Sequence, residues 1–173
     1  MGKLFDVALE WLNENDWNYT EHHRDNGDNW TRSSYSADNS KFDVVLDARE
    51  ETKLFFVYVY FPVHVPQKNR VDVSELLTRI NYNLNIGNFE LDMGDGQIRY
   101  KVSVDIEGSE LVTKMVQNMI NVALSMSDTY IPAVMHICYG NKTPIEALNI
   151  LQENSAETEA ISAIKVNEVK TIQ

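Results

Sequence analysis

The chain has 173 residues, a length that supports one domain with a buried core and needs no disulfide staples. Its 26 Asp and Glu outnumber its 15 Lys and Arg, for a formal net charge of −11, and so acidic a surface offers no basic stripe to a phosphate backbone or an anionic lipid. With 43% apolar and 10% aromatic residues the composition is globular, and a single cysteine, Cys138, excludes an intramolecular disulfide and a Cys-rich zinc site.

Neither nucleic acid nor membrane is therefore expected as a partner. Met1 to Asp6 lacks the basic start and apolar run of a secretory signal, and Asp6 stands where a myristoylation motif needs Ser or Thr. A cytoplasmic setting is expected. Leu4, Phe5, Ala8, Trp11 and Leu12 recur at three- and four-residue intervals and predict an amphipathic helix over 3–14. Residues 15–40 combine Asn, Asp, Ser and Gly turn signals with Trp17, Tyr19, Trp30 and Tyr35, which suits short strands joined by mobile turns. Over 42–49 the residues Phe42, Val44, Leu46 and Ala48 alternate with Asp43, Asp47 and Arg49, the pattern of a half-buried antiparallel strand, with Val45 the exception on the polar side.

After a short hairpin connection at 50–53, residues 54–61 form a strand that is apolar on both sides. Leu54, Phe56, Tyr58 and Tyr60 lie on one side and Phe55, Val57, Val59 and Phe61 on the other. Period-two logic requires only one set to meet the chain's own helices, so the other is left as a candidate interaction surface. Pro62 and Pro66 are expected to end this strand, because proline cannot donate to the ladder.

Val73, Leu76, Leu77, Ile80, Leu84 and Ile86 predict a helix over 73–86, with Asp72 or Ser74 as N-cap and Gly87 as the stop. A hairpin follows, 88–93 and 97–106 around Gly94-Asp95-Gly96, its second strand alternating Ile98, Tyr100, Val102, Val104 and Ile106 with polar residues. Leu111 to Leu124 carry a helical stripe capped by Ser109, Asp128 is placed to cap a further helix ending near Gly140, and Thr143-Pro144 opens a last short one. Residues 153–173 have weak periodicity and are expected to form a frayed or disordered tail beyond a single domain over 1–152. The order of elements is that of an α+β fold, a twisted antiparallel sheet packed against helices.

Residues that could carry chemistry do not converge. His22 and His23 are adjacent, so on a strand they point to opposite sides, whereas a metal site needs converging ligands. His136 and Cys138 are two apart on a helix, about 200° around its axis, and Cys138 among Val134, Met135 and Ile137 reads as a small buried hydrophobe. Asp92 to Gly96 resembles a calcium loop only faintly, since Gly94 stands in a ligand position and no closing Glu follows. Met115, Met119, Met126 and Met135 read as helical core by default. No catalytic, cofactor-binding or metal residue is assigned, and no cofactor is expected.

Two segments carry a resemblance. Gly87-Asn88-Phe89-Glu90-Leu91-Asp92-Met93-Gly94-Asp95-Gly96-Gln97-Ile98-Arg99-Tyr100 resembles a hairpin motif of the YbjN family, bacterial proteins associated with sensory transduction. Asp128, Tyr130, Pro132 and Ala133, followed by Gly140, Pro144, Glu146, Ala147 and Leu148, look like its second block. The resemblance spans residues 73–152, extends less distinctly back to 42, and leaves 15–40 and the tail outside. It implies a type III secretion chaperone-like fold, and with it a small, acidic, dimeric protein that holds client polypeptide in extended form on an apolar groove. Phe89, Leu91, Tyr100, Pro132 and Pro144 read as scaffold, which transfers fold more readily than function.

The resemblance and the two-sided strand lead to a non-enzymatic chaperone-like or regulatory protein-binding domain. Phe55, Val57, Val59 and Phe61, or their neighbours Phe56, Tyr58 and Tyr60, are expected to line a homodimer interface or a client groove. The alternative is a small-molecule-binding or enzymatic domain, with a pocket between helices and sheet and Tyr58, Tyr60 and Tyr100 as polar handles.

Overall fold

The computed structural model describes residues 3–154. The described residues run α1 (Lys3–Glu14), β1 (Tyr19–His23), β2 (Asn29–Ser36), β3 (Lys41–Arg49), β4 (Leu54–His64), a 3₁₀ turn (Gln67–Asn69), α2 (Arg70–Asn81), β5 (Asn88–Leu91), β6 (Gln97–Asp105), α3 (Thr113–Gly140) and α4, residues 144–154. The six strands form one antiparallel sheet in the order β1-β2-β3-β4-β6-β5. The expected α+β architecture is the one observed. The tail expected over 153–173 lies outside the described residues except for 153 and 154, which end α4.

One side of the sheet holds the core. Phe42, Val44, Leu46 and Ala48 of β3, Phe55, Val57, Val59 and Phe61 of β4 and Ile98, Tyr100 and Val102 of β6 pack with Leu4, Phe5, Ala8 and Trp11 of α1, Leu76 and Leu77 of α2 and Ile120, Val134 and Ile137 of α3. The period-two pattern of the strands meets the three- and four-residue pattern of the helices there. The amphipathic spacing of α1 buries Leu4, Phe5, Ala8, Trp11 and Leu12. Its first turn is capped from a distance, because Glu50 at the end of β3 accepts hydrogen bonds from the amides of Leu4 (2.8 Å) and Phe5 (3.0 Å).

Four local expectations are corrected. The strand beginning at Leu54 continues through Pro62 to His64, with the β4-β6 register shifting between Tyr60 and His64. Proline fits within a sheet at such an irregularity, and Phe61 keeps its carbonyl partnered by the Gln97 side chain at 3.0 Å. The second helix starts earlier and ends earlier, at Arg70 and Asn81, with Asn69 at its N-cap in place of Asp72 or Ser74 and no side-chain cap bond. Leu84 and Ile86 follow it in the irregular segment before Gly87. Of the Asp95-Gly96 pair, expected to take the positive φ angles of a tight turn, only Gly96 does so, at φ +85°, where an added Cβ would lie 2.3 Å from the Val65 carbonyl oxygen.

The fourth correction carries the most physics. The two helices expected over 109–124 and 128–140 are one 28-residue helix, α3, with Val112 at its N-cap and Pro132 inside it. Proline has no N–H, so the Asp128 carbonyl four residues back loses its intrahelical donor. Asn39, in the β2-β3 turn, supplies the replacement: its side-chain Nδ2 donates to that carbonyl at 3.1 Å, and its backbone amide donates to the Asp128 carboxylate at 2.8 Å. Asp128 is thus a tie between helix and sheet rather than a helix cap. Thr143 and Glu146 form a reciprocal capping box on α4, Glu146 N donating to Thr143 Oγ1 at 3.3 Å and Thr143 N to Glu146 Oε2 at 2.9 Å.

Candidate protein-binding face

Among the described residues the helices leave the other side of the sheet open. Side chains that reach it alternate with the core residues, so Phe56, Tyr58 and Tyr60 of β4 stand beside Asp43, Val45 and Asp47 of β3 and beside Arg99, Lys101 and Ser103 of β6. Phe56 and Tyr58 stack with ring centroids 5.7 Å apart and planes within 5°, and Tyr60 continues the row at 6.1 Å. Farther out, His22 of β1 stacks on Trp30 of β2 at 3.8 Å. Phe55, Val57, Val59 and Phe61 face the chain's own helices, so of the two alternate sets it is Phe56, Tyr58 and Tyr60 that face away from them.

This aromatic row is plated with charge. The Arg49 guanidinium lies 4.5 Å over the Phe56 ring and that of Arg99 4.5 Å over Tyr58. Tyr58 is buried without joining the core, under this charged layer, and burial raises its phenol pKa. Carboxylates hold the cations in place. Asp47 receives both terminal nitrogens of Arg24, at 2.7 and 3.3 Å, and Arg49 at 3.4 Å. Arg32 pairs with Asp43, which also accepts from Ser34 Oγ at 3.0 Å, and Glu90 of β5 binds Arg99 Nε at 2.7 Å together with Lys101. The hydrogen bond from Arg32 is the chief cause of the lowered pKa of Asp43. Burial alone would raise Glu90, and its hydrogen bonds to Lys101 and Arg99 outweigh that and lower it.

The sequence places these side chains on the solvent side of their strands but does not show which of them cover rings. Arg24, Arg32, Arg49, Arg99 and Trp30 escape a reading by apolar pattern. The alternation of Asp47 with Arg49 and of Arg99 with Lys101 is the signal that could have found them.

A pocket between helices and sheet with Tyr58, Tyr60 and Tyr100 as handles does not form. Tyr100 is two-sidedly separated from the other pair: it lies in the helix-side core, donates its hydroxyl to the Ile86 carbonyl, and has a pKa pushed up to about 12 by burial and by Tyr130. Tyr60 instead lines an open cleft of about 360 Å³ with Glu90, Asp92, Asp95, Gln97 and Arg99. A wider cavity of about 760 Å³ opens at the start of α1, over Leu4, Val7, Ile106 and Leu111 with Glu50 and Glu107 at its rim.

His22 and His23 do point to opposite sides of β1, His22 to Trp30 and His23 toward Asn29 Oδ1 at 2.7 Å and the edge of Phe5. Cys138 is buried and desolvation raises its thiol, which opposes thiolate formation. Among the described residues no group of three His, Cys, Asp or Glu is placed to hold a metal ion, and no helix is long and apolar enough to cross a membrane.

Comparison with known proteins bears on this geometry. The YbjN family model, described as "Putative bacterial sensory transduction regulator", matches residues 5–135, and the chain belongs to that family. The match takes in 15–40, which the motif resemblance left out, and stops short of the Gly140 to Leu148 part of its second block. No curated protein matches the chain. Among solved structures, the ExsC-ExsE complex contains a chain similar to this one, with a TM-score of 0.52 at 12% identity over 75% of this chain and 94% of that one. The HopA1-SchA chaperone-effector complex gives a TM-score of 0.45 at 14% identity over 70% and 88%. The first likeness is one of fold, and it agrees with the type III secretion chaperone-like architecture expected from the motifs.

Proposed function

We propose that this YbjN-family chain is a non-enzymatic, chaperone-like protein-binding domain of the cytoplasm, which receives a partner polypeptide on the open face of its sheet at Phe56, Tyr58 and Tyr60. The observation that carries the reading is the aromatic row on a six-stranded sheet that, among the described residues, helices cover on one side only. Aromatic rings with polar neighbours are the side chains that protein interfaces favour at their centres. The fold likeness supports it, since the similar ExsC chain is found in a complex with ExsE. The single, buried, free Cys138 suits a reducing compartment.

Homodimerisation through this face is a second way of using it, and the two are told apart by stoichiometry. Native mass spectrometry of the purified chain with whatever co-purifies should show a defined complex with a second, different polypeptide. Replacing Phe56 and Tyr60 together by Ala should leave the fold intact and release that polypeptide. Retention of the same polypeptide by the double variant would overturn the placement. A monomer that holds no protein, yet shows a reproducible upward thermal shift with a metabolite, would favour the small-molecule reading instead.

A further inference from the structure

We propose that the partner segment that docks on the open face is acidic, a polypeptide that alternates or intersperses carboxylates with apolar side chains. The inference rests on the reading of this face as protein-binding and adds the chemistry of the occupant. Three carboxylates there, Asp43, Asp47 and Glu90, hold five cations, Arg24, Arg32, Arg49, Arg99 and Lys101. Asp105, at the rim of the face, turns its carboxylate to the Glu107 amide at 2.8 Å.

The depth of the charges matters more than their number. The Asp47 side chain is 4% exposed under an Arg24 that is 40% exposed, and Arg32 is 57% exposed over an Asp43 at 36%. In each arginine pair of this face the carboxylate is the less exposed partner, most strongly at Asp47. A guanidinium has five N–H donors, and within the protein Arg32 and Arg49 each use one nitrogen on a carboxylate. Arg49 also lies over the Phe56 ring, and each of the two arginines keeps donors beyond the nitrogen its carboxylate takes, as a group that binds a carboxylate bidentately must. In a chain of net charge −11 these five cations gather positive charge on the central strands, while Asp92 and Asp95 line the cleft beside Tyr60 and Arg99 at one end, and that concentration draws a negative segment to the middle of the face. A second copy is a poor occupant, because it would set the same outward cations against each other.

The test is a titration of the full chain with a labelled short peptide alternating Glu and Leu, followed by fluorescence anisotropy, beside versions carrying Gln or Lys in place of Glu. The acidic peptide should bind tightest, and its affinity should fall by roughly tenfold between about 50 and 300 mM salt as screening sets in. Arg32→Gln combined with Arg99→Gln should weaken it by about tenfold, and Lys142→Gln, outside the face, should not. The salt series on the unsubstituted protein tests the same point should the double variant be unstable. Equal binding of the Gln peptide, still lost in the Phe56 and Tyr60 double variant, would overturn the acidic occupant and leave the protein-binding face standing. Preference for the Lys peptide, displacement of the acidic peptide by a single-stranded oligonucleotide, or no peptide binding would each overturn the inference. The co-purification experiment judges the broader reading separately.

Discussion

β4 keeps aromatic side chains from water on both of its sides, by different means. On the helix side Phe55 and Phe61 are surrounded by hydrocarbon from β3, α1 and α3, a contact that is dense and indifferent to salt. On the open side Phe56 and Tyr58 lie under guanidinium groups that themselves remain in water. Long charged side chains can shield apolar surface this way while keeping their heads solvated, and a partner can displace or join such a layer at little cost to the fold. One strand thus belongs to a core on one side and presents an adaptable surface on the other.

The largest test of that difference is a buried charge. Val57→Asp should prevent folding, because an unpaired carboxylate in the core costs more than the whole stability of a typical domain leaves to spare, whereas Tyr60→Asp should give a folded protein by circular dichroism. Equal loss of structure in both would mean that the open side is core as well. Truncation gives a graded version. Phe55→Ala should cost about 3–5 kcal/mol in urea unfolding and Phe56→Ala about 1 kcal/mol, since only the first leaves a cavity that water and neighbours cannot fill.

The helix side also depends on α3 remaining one rod across Pro132. Asn39→Ala should cost about 0.5–1.5 kcal/mol, because the Asp128 carbonyl loses its protein donor to water. In a Pro132→Ala background the same substitution should cost less, the restored amide of residue 132 now serving that carbonyl, and a double-mutant cycle by urea unfolding reads the coupling directly.

The smallest effects come from titration, and each end of the pH range reports chiefly one side. Asp43 and Glu90 have lowered pKa values in the folded protein, so their contribution is full above the ordinary 3.8 and 4.5 and is lost as pH falls through the depressed values. That acid limb belongs to the open side and should flatten with salt. Tyr100, raised from 10.0 to about 12, contributes stability that is present below pH 10 and lost as pH rises through the folded value. Tyr58, on the open side, adds in the same sense, and Tyr100→Phe should remove the larger part of the alkaline limb, the part that belongs to the helix side.

Much of this architecture was legible before any coordinates. Alternation along 42–49 and 98–106 and helical spacing along 3–14 identify core-facing residues, because burial repeats with the geometry of each element. The strand end expected at Pro62 and the helix start expected at Asp128 fail for one reason: whether an element stops at a local signal depends on what else meets its neighbours. At Pro62 a register shift absorbs the missing donor, and at Pro132 Asn39, far away in the sequence, replaces it.

By itself, then, the sequence determined the elements, the side of each strand and helix that turns inward, and the presence of one strand with apolar residues to spare. Those properties follow from local periodicity and from composition. Only the tertiary structure decided which side of β4 the helices would take, that Tyr100 would part from Tyr58 and Tyr60, and that arginines from β3 and β6 would lie over the rings left open. These depend on register between strands distant in sequence, and a one-residue change of register would send every side chain to the other face.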